Sequence, residues 1–345
     1  MLMVAAASVM IPQTGLAVFT EAPELHERVA TGSLPPLDQR LPVAPLIVTP
    51  VEKPGTYGGT WRMVLVGYDN ASLLTRSMSY ENLVRWDPNW TRVLPNVASS
   101  WKINAHATVY RFQLRRGMRW SDGEPFTAHD IVAWVDDVAR NSELSSIPPW
   151  LVAGGRLPEC TALDDFTVEF HFASPNALFL EQLAGIRARE LTHYPAHYFR
   201  KFHPSYNAEG AAELMRRTGL PWPAAFNSVY TPATWRAAGV PTLDAWVLTN
   251  AYTPGTPFLI AARNPFYWKV DTLGRQLPYL DTVRFDVVHD KREARLRALA
   301  GEVDYQHGNV TSVETIPEVK AAEQAGTIRT VQGIPTASNS CSPQS

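Results

Sequence analysis

The stretch from Tyr80 to Val138 constrains the fold more than any other part of the chain. Within it, residues 109–115 alternate between apolar and polar side chains around Tyr110, Phe112 and Leu114. A period of two is typical of a strand that buries one face and exposes the other. The Ser-Asp-Gly sequence at 121–123 then has the composition of a tight turn. The sequence therefore predicts a half-buried strand that ends in a sharp reversal.

A helix is predicted directly after this turn, over about residues 128–139. Thr127 and Asp130 have the spacing of a capping box, in which a hydroxyl and a carboxylate satisfy early helical amides. An apolar stripe at helical spacing follows, made of Ile131, Val132, Trp134, Val135 and Val138. Strand, turn and capped helix in this order indicate a mixed α/β architecture.

Two ordered blocks of residues carry a family resemblance. The first block comprises residues 80–84, 94–98 with Trp101, 110–117, 120–123 and 125–128, and the second comprises residues 263–269, 277–281 and 300–304. Together they resemble the extracellular solute-binding proteins of peptide, nickel and oligosaccharide uptake systems, typified by the dipeptide- and oligopeptide-binding proteins of ABC transporters. The likeness runs from about residue 19 to about residue 331, which is nearly the whole chain.

The resemblance implies a mixed α/β fold of the periplasmic binding protein-like class II type, with one lobe, a satellite subdomain and a second lobe that is largely missing. The expected division has five parts: a signal-peptide remnant at 1–17, an extended proline-rich arm at 18–55, a discontinuous first lobe at 56–81 and 176–331, an inserted subdomain at 82–175, and a disordered tail at 332–345. The likeness fades after Val331, so we expect a truncated copy. Two-lobed binding depends on closure around the ligand, and we therefore expect binding to be impaired.

The amino terminus predicts export. Residues 2–11 form a short apolar run, and small residues at 15–17 are typical of a signal-peptidase site. A run of this length is too short for a membrane span, which needs about 20 residues. Since Cys160 is the first cysteine, no lipid-bearing thiol lies near that site. We expect a free periplasmic or extracellular protein; a buried or frayed amino-terminal segment is the alternative.

Candidate ligand-binding residues lie after the first predicted strand, Thr60 to Val66. Ligands of open α/β sheets bind beyond the carboxyl ends of strands. In the resembled family the corresponding loop lines the ligand cleft, which assigns ligand contact to Tyr68, Asp69 and Asn70. Trp150 is added because it follows a Pro-Pro pair near a region that can face ligand.

Other classes of function have little support in the residues. The net charge is only −2 with no basic stripe, which argues against nucleic acid as a partner. The sequence contains no nucleophile elbow, phosphate loop or zinc-protease motif, so we expect no catalytic residues and no cofactor. His193, His197 and His203 are the nearest approach to a metal site, but Pro195 interrupts their helical spacing. We interpret them as surface or hydrogen-bonded histidines, with no metal.

The expected function is that of a monomeric solute-binding component of an ABC importer, which captures peptides or related small solutes and delivers them to a membrane permease. One alternative is an oligosaccharide-binding protein of the same family. A second alternative, suggested by the 11 tryptophans, is a secreted glycan-active enzyme. A structural or signalling domain that docks on a receptor is the third.

Overall fold

The computed structural model describes residues 19–68, 71–144, 148–230, 235, 237–306 and 313–331. The predicted signal-peptide remnant, the predicted tail and Cys341 lie outside these residues. The strands of the described residues are β1 (Leu46–Val48), β2 (Thr60–Val66), β3 (Val84–Trp86), β4 (Val93–Pro95), β5 (Ala98–Ile103), β6 (Val109–Leu114), β7 (Glu159–Asp164), β8 (Thr167–His171), β9 (Trp246–Leu248), β10 (Phe258–Arg263), β11 (Lys269–Asp271) and β12 (Thr282–Val288).

The helices are mostly short and lie between or after these strands. They are α1 (His26–Ala30), α2 (Leu37–Arg40), α3 (Ala71–Met78), α4 (Ala128–Trp134), α5 (Phe179–Leu183), α6 (Ala196–Phe199), α7 (Ala208–Thr218), α8 (Trp222–Tyr230), α9 (Lys291–Leu299) and α10 (Ile316–Gln324). A π-helical turn, Val135–Ala139, continues α4. Single 3-10 segments occur at Pro23–Leu25, Pro149–Leu151, Ile186–Thr192, Arg200–Phe202 and Val313–Thr315.

One four-stranded sheet has the order β2-β12-β10-β9, with β2 and β12 parallel and the remaining pairs antiparallel. On one of its faces Met63 and Leu65 of β2 pack with Leu74 of α3. On the other face Val64 packs with Val288 and with Ala294 of α9. The sheet is therefore covered by a helix on both sides, and the predicted strand over 60–66 is confirmed.

The second four-stranded sheet has the order β5-β6-β8-β7 and is antiparallel throughout. Tyr110, Phe112 and Leu114 of β6 are buried, as the alternation predicted. On the other side of the same strand, Arg111 forms an ion pair with Glu169 of β8, with 2.7 Å between Nη2 and Oε2. This sheet and α4 form the largest hydrophobic core among the described residues.

The capped helix is confirmed at its start. The Thr127 N–H donates to the Asp130 carboxylate at 2.9 Å, which holds the first turn as the capping-box spacing predicted. The Asp130 carboxylate also accepts from the Ala196 N–H at 3.2 Å, so this cap ties α4 to α6.

The proline-rich segment is not extended throughout, which corrects one detail of the predicted arm at 18–55. It contains α1, α2 and the short β1, which pairs in parallel with β11. The guanidinium of Arg40 is fully buried and contacts Glu21 and the Pro265 carbonyl. Prolines limit element length but leave room for one-turn helices between them. The division into five parts as a whole stays a prediction.

Asp271, at the end of β11, organises the turn that holds this arm. Its carboxylate accepts from the Arg275 Nε at 2.7 Å, from the Tyr279 hydroxyl at 2.6 Å and from the Leu273 N–H at 2.8 Å. Arg275 in turn donates to the Gly55 carbonyl at 3.0 Å. Burial raises the pKa of Asp271, but the hydrogen bonds from Tyr279 and Arg275 outweigh it and hold the pKa below its usual value.

A substitution of Asp271 should therefore show an acid-dependent effect. The unfolded-state pKa of an aspartate is about 3.9, so the stabilisation by the charged form is fully present above about pH 5 and is lost as the pH falls through the lower folded-state pKa. We expect Asp271→Asn to lower the free energy of unfolding by about 1–3 kcal/mol at pH 7. Urea titrations between pH 7 and pH 2.5 check this, and the two proteins should converge towards low pH. A difference that does not change with pH would show that the charge of Asp271 is not the cause.

Candidate solute-binding surface

The carboxyl ends of the parallel strands β2 and β12 lie side by side, and the sequence predicted the ligand edge of the sheet at the end of β2. The Gly67 N–H donates to the Val288 carbonyl at 2.8 Å, which extends the ladder one residue beyond β2. Gly67 has a φ of 63°, a left-handed conformation that glycine adopts without steric cost. The chain therefore turns sharply away from the sheet at this point.

Tyr68 is half-buried at this turn and packs against Tyr252, with 4.8 Å between the ring centroids. The Tyr252 hydroxyl donates to the Gly67 carbonyl at 2.5 Å. This hydrogen bond and the ring contact between Tyr68 and Tyr252 hold the chain in place at the end of β2. Asp69 and Asn70 lie outside the described residues. Ligand contact by these three residues stays a prediction.

Trp150 lies in a different part of the molecule, in the core of the β5–β8 sheet. It is 8% exposed and stacks on Trp134 with 6.1 Å between centroids and an interplanar angle of 5°. Its ring also stacks on Phe179 at 6.4 Å. These contacts are those of a packing residue and do not bring Trp150 together with Tyr68, whose ring packs on the core of the β2 sheet. Its predicted ligand contact is likewise untested.

A groove beside the β2 sheet has a composition suited to solute binding. It is lined by Trp61, Leu73, Arg76, Ser77 and Tyr305 and has an empty volume of about 680 Å³, part of it open to solvent. The Trp61 ring lies 6.0 Å from the ring of Tyr305 and 5.9 Å from that of Trp246. Apolar walls with a few polar groups are typical of small-molecule sites. We call these five residues the aromatic groove.

The Arg76 guanidinium is the charged group of the aromatic groove. Arg76 lies in the last turn of α3 and is exposed. Among the described residues, no acidic side chain forms an ion pair with Arg76. The guanidinium of such a residue offers a planar fork of donors to a carboxylate or to several hydroxyl groups.

Tyr305 is held in the groove because its segment pairs with the free edge of β2. The Asp304 carboxylate accepts from the backbone N–H of Arg62 at 2.7 Å and from the Arg62 Nη2 at 2.8 Å. The Gln306 amide accepts from the Val64 N–H at 3.1 Å. Hydrogen bonds from Arg62 hold the pKa of Asp304 below its usual value. Sequence reasoning gave no role to Trp61, Arg76 or Tyr305, although the Gly-Glu-Val-Asp sequence before Tyr305 was part of the family resemblance.

The histidines are hydrogen-bonded, as predicted. The His197 Nε2 lies 2.7 Å from an Asp122 carboxylate oxygen, and the His193 Nε2 lies 3.1 Å from an oxygen of Asp244. Across the described ranges, no group of three or more histidine, cysteine or acidic side chains is arranged to hold a metal ion. Cys160 is a free, buried thiol.

Comparison with known proteins identifies the family. Residues 92–338, well over half of the chain, match the model of the bacterial extracellular solute-binding proteins, family 5. The chain belongs to this family. It is similar to the periplasmic alpha-galactoside-binding protein of Rhizobium meliloti, with 28% identity over 299 residues that cover 80% of this chain and 40% of that protein.

Solved structures agree with this assignment. An oligopeptide-binding protein OppA aligns with a TM-score of 0.82 and 36% identity over 90% of this chain and 48% of that one. The periplasmic binding protein MelB of Agrobacterium fabrum C58, solved in complex with stachyose, aligns with a TM-score of 0.65 and 27% identity, over 84% of this chain and 44% of that one. The chain thus spans about half the length of the relatives it matches or less. The predicted mixed α/β fold of the periplasmic binding protein-like type is confirmed.

The family and the relatives also confirm the predicted periplasmic or extracellular location, since the alpha-galactoside-binding protein and MelB named above are periplasmic binding proteins. Among the helices of the described residues, none combines the length and the apolar character that crossing a bilayer demands.

Proposed function

We propose that this chain provides a solute-binding surface of the binding component of an ABC importer, which captures peptides or related small solutes and delivers them to a membrane permease. The aromatic groove carries this proposal, because it places the rings of Trp61 and Tyr305 and the Arg76 guanidinium together at one surface that is open to solvent. The names of relatives agree with it, among them the dipeptide-binding protein of Escherichia coli, 32% identical over 123 residues. We further propose that the chain binds without catalysis and is monomeric.

An oligosaccharide ligand is the second candidate. Relatives that bind alpha-galactosides or stachyose support it, and so do the rings of Trp61 and Tyr305, since flat amphipathic rings suit uncharged polar solutes. A glycan-active enzyme has less support. Such enzymes place two carboxylates across a cleft, whereas the described residues that line the aromatic groove include no acidic side chain.

Substitutions in the aromatic groove should separate the two ligand classes. Truncation of an aromatic anchor in a binding site typically costs 2 kcal/mol or more, so we expect Trp61→Ala to weaken binding of either ligand by about tenfold or more. Arg76→Ala should weaken binding of peptides with a free carboxylate and leave an uncharged galactoside unaffected. Calorimetry with di- to pentapeptides and with stachyose measures both effects.

Trp90 is the matched control, since this tryptophan is 50% exposed and stacks on Trp86 away from the groove. Trp90→Ala should bind as the unaltered chain does. Because the groove is open to solvent, we expect weak binding by the unaltered chain. Equal affinities for the Trp61→Ala and Trp90→Ala proteins would refute the groove as the binding surface.

A further inference from the structure

The segment that carries Tyr305 crosses the edge of the β2 sheet. Val303 packs with Val64, on the face that α9 covers. Tyr305 lies on the opposite face, where its ring is 6.0 Å from that of Trp61, which packs on the α3 side. Residues two apart in a strand point to the same face of a sheet. The chain therefore passes from one face to the other between Val303 and Tyr305, with Asp304 at the edge itself.

At this crossing the segment is joined to β2 largely through side chains. One bond links the two main chains, from the Asp304 N–H to the Arg62 carbonyl at 2.9 Å. The Asp304 carboxylate accepts from the Arg62 N–H at 2.7 Å, from the Arg62 Nε at 3.1 Å and from the Arg62 Nη2 at 2.8 Å. The Gln306 side-chain amide accepts from the Val64 N–H at 3.1 Å and donates to the Val64 carbonyl at 3.2 Å. These two side chains thus occupy positions that the main chain of a neighbouring strand would take.

The position of Tyr305 therefore depends on which residues flank it. In a regular ladder the main-chain groups of almost any residue would serve, since every residue except proline carries both a donor and an acceptor. Here, truncation of Asp304 or Gln306 removes hydrogen bonds that are made by the side chain itself. Because the side chains of Arg62 and Asp304 are 49% and 39% exposed, water competes for these groups, and the segment is held by several modest bonds acting together.

The second ring of the aromatic groove is fixed independently of this crossing. Trp61 belongs to β2, and its ring lies 5.9 Å from that of Trp246. The Trp246 indole N–H donates to the Leu280 carbonyl at 3.2 Å. Tyr305, in contrast, lies outside any helix or strand and is 48% exposed. Of the two rings, Tyr305 is the one whose position depends on Asp304 and on the residue after it.

We propose that Asp304 and Gln306 are positioning residues of the aromatic groove: they hold the Tyr305 ring against Trp61, and the groove binds solute only while that contact is in place. Neither side chain lines the groove, so both act through Tyr305. A site that is formed in only a fraction of the molecules binds with an affinity reduced by that fraction. The effect on affinity rests on the proposed function, whereas the effect on the position of Tyr305 does not.

A double-mutant cycle tests whether Asp304 acts through Tyr305. Asp304→Ala should weaken binding of the tetrapeptide or stachyose by about fivefold or more, since several hydrogen bonds are lost. Asp304→Asn keeps an acceptor for the Arg62 N–H and should recover part of that loss, and Gln306→Ala should also weaken binding. In a chain that already carries Tyr305→Ala, Asp304→Ala should have no further effect. An equal loss in both backgrounds would overturn the proposal.

The position of the ring is measured without ligand. Nuclear Overhauser contacts between the Tyr305 ring and the Trp61 indole should be present in the unaltered chain and absent in the Asp304→Ala protein. Asp136→Ala is the matched control, because Asp136 also pairs with an arginine, Arg140, at 3.1 Å and is partly exposed. This protein should keep the contacts.

Retention of the ring contacts in the Asp304→Ala protein would overturn the proposal, whatever the binding data show. Failure of the unaltered chain to bind either ligand would refute the proposed function alone. The ring contacts would still decide whether Asp304 positions Tyr305, so the two failures are distinguishable.

Discussion

Replacing Lys269 by alanine should lower the free energy of unfolding by about 3–5 kcal/mol, the range typical of breaking a buried ion pair from one side. The Lys269 Nζ lies 2.6 Å from the Glu81 Oε2, and both side chains are buried. Tyr267 donates to the other carboxylate oxygen of Glu81 at 2.7 Å. Removal of the ammonium leaves Glu81 charged and buried with only neutral donors. Chemical denaturation at pH 7 measures the loss.

Two comparisons show whether the ion pair is the cause. Lys201→Ala removes an exposed lysine and should change the free energy of unfolding by less than about 0.5 kcal/mol. The double substitution Lys269→Met with Glu81→Gln removes both charges and should recover much of the loss. A single substitution at Lys269 that costs no more than Lys201→Ala would contradict the buried pair.

Replacing Trp134 by alanine should cost about 3–5 kcal/mol, as large aromatic truncations in well-packed cores do. Trp134 is 1% exposed, stacks on Trp150, and donates its indole N–H to the Tyr230 hydroxyl at 2.6 Å. The substitution leaves a cavity in the largest core and removes the hydrogen-bond donor of a buried hydroxyl. Thermal unfolding followed by near-UV circular dichroism reports on this packing.

Trp90→Ala again provides the matched control, because it removes the same side chain from the surface. We expect it to cost less than about 1 kcal/mol. Similar costs for the two tryptophans would mean that the core around Trp134 is not packed as described.

The strands were the most predictable part of this fold. Thr60–Val66 was located from sequence with the bounds that the structure gives it, and the alternation over 109–115 matches β6, Val109–Leu114. Met63, Val64 and Leu65 are all buried because helices cover both faces of the sheet, so the centre of β2 is a short apolar run. The capped helix after Thr127 was also predictable, since its first hydrogen bonds are local.

The packing of α9 was not predictable from apolar residues alone. Leu296 and Leu299 are the largest apolar residues of this helix, but Leu296 is 54% exposed. Ala294 and Ala298 are the buried residues. Their spacing of four and their small size allow the helix to lie close to β2 and β12. The spacing of apolar residues shows which sides of α9 could be buried. Which side is buried depends on the shape of the sheet surface against which the helix packs.

The candidate sites were predictable only in part. The family resemblance led to the end of β2 and thus to Tyr68. Trp61 and Tyr305 are 244 positions apart in the chain, and only the pairing of Asp304 with Arg62 brings them together. Long-range contacts of this kind leave no local spacing in the sequence from which they could be inferred.

The central proposal is that this chain binds solute in the aromatic groove. A titration of isotope-labelled chain with a tetrapeptide and with stachyose, followed by two-dimensional NMR, tests it most directly. We predict that one of the two ligands shifts the resonances of Trp61, Arg76 and Tyr305 together, and that the three shifts follow one binding curve. Shifts confined to residues of the β5–β8 sheet, or no shift with either ligand at millimolar concentration, would contradict the claim.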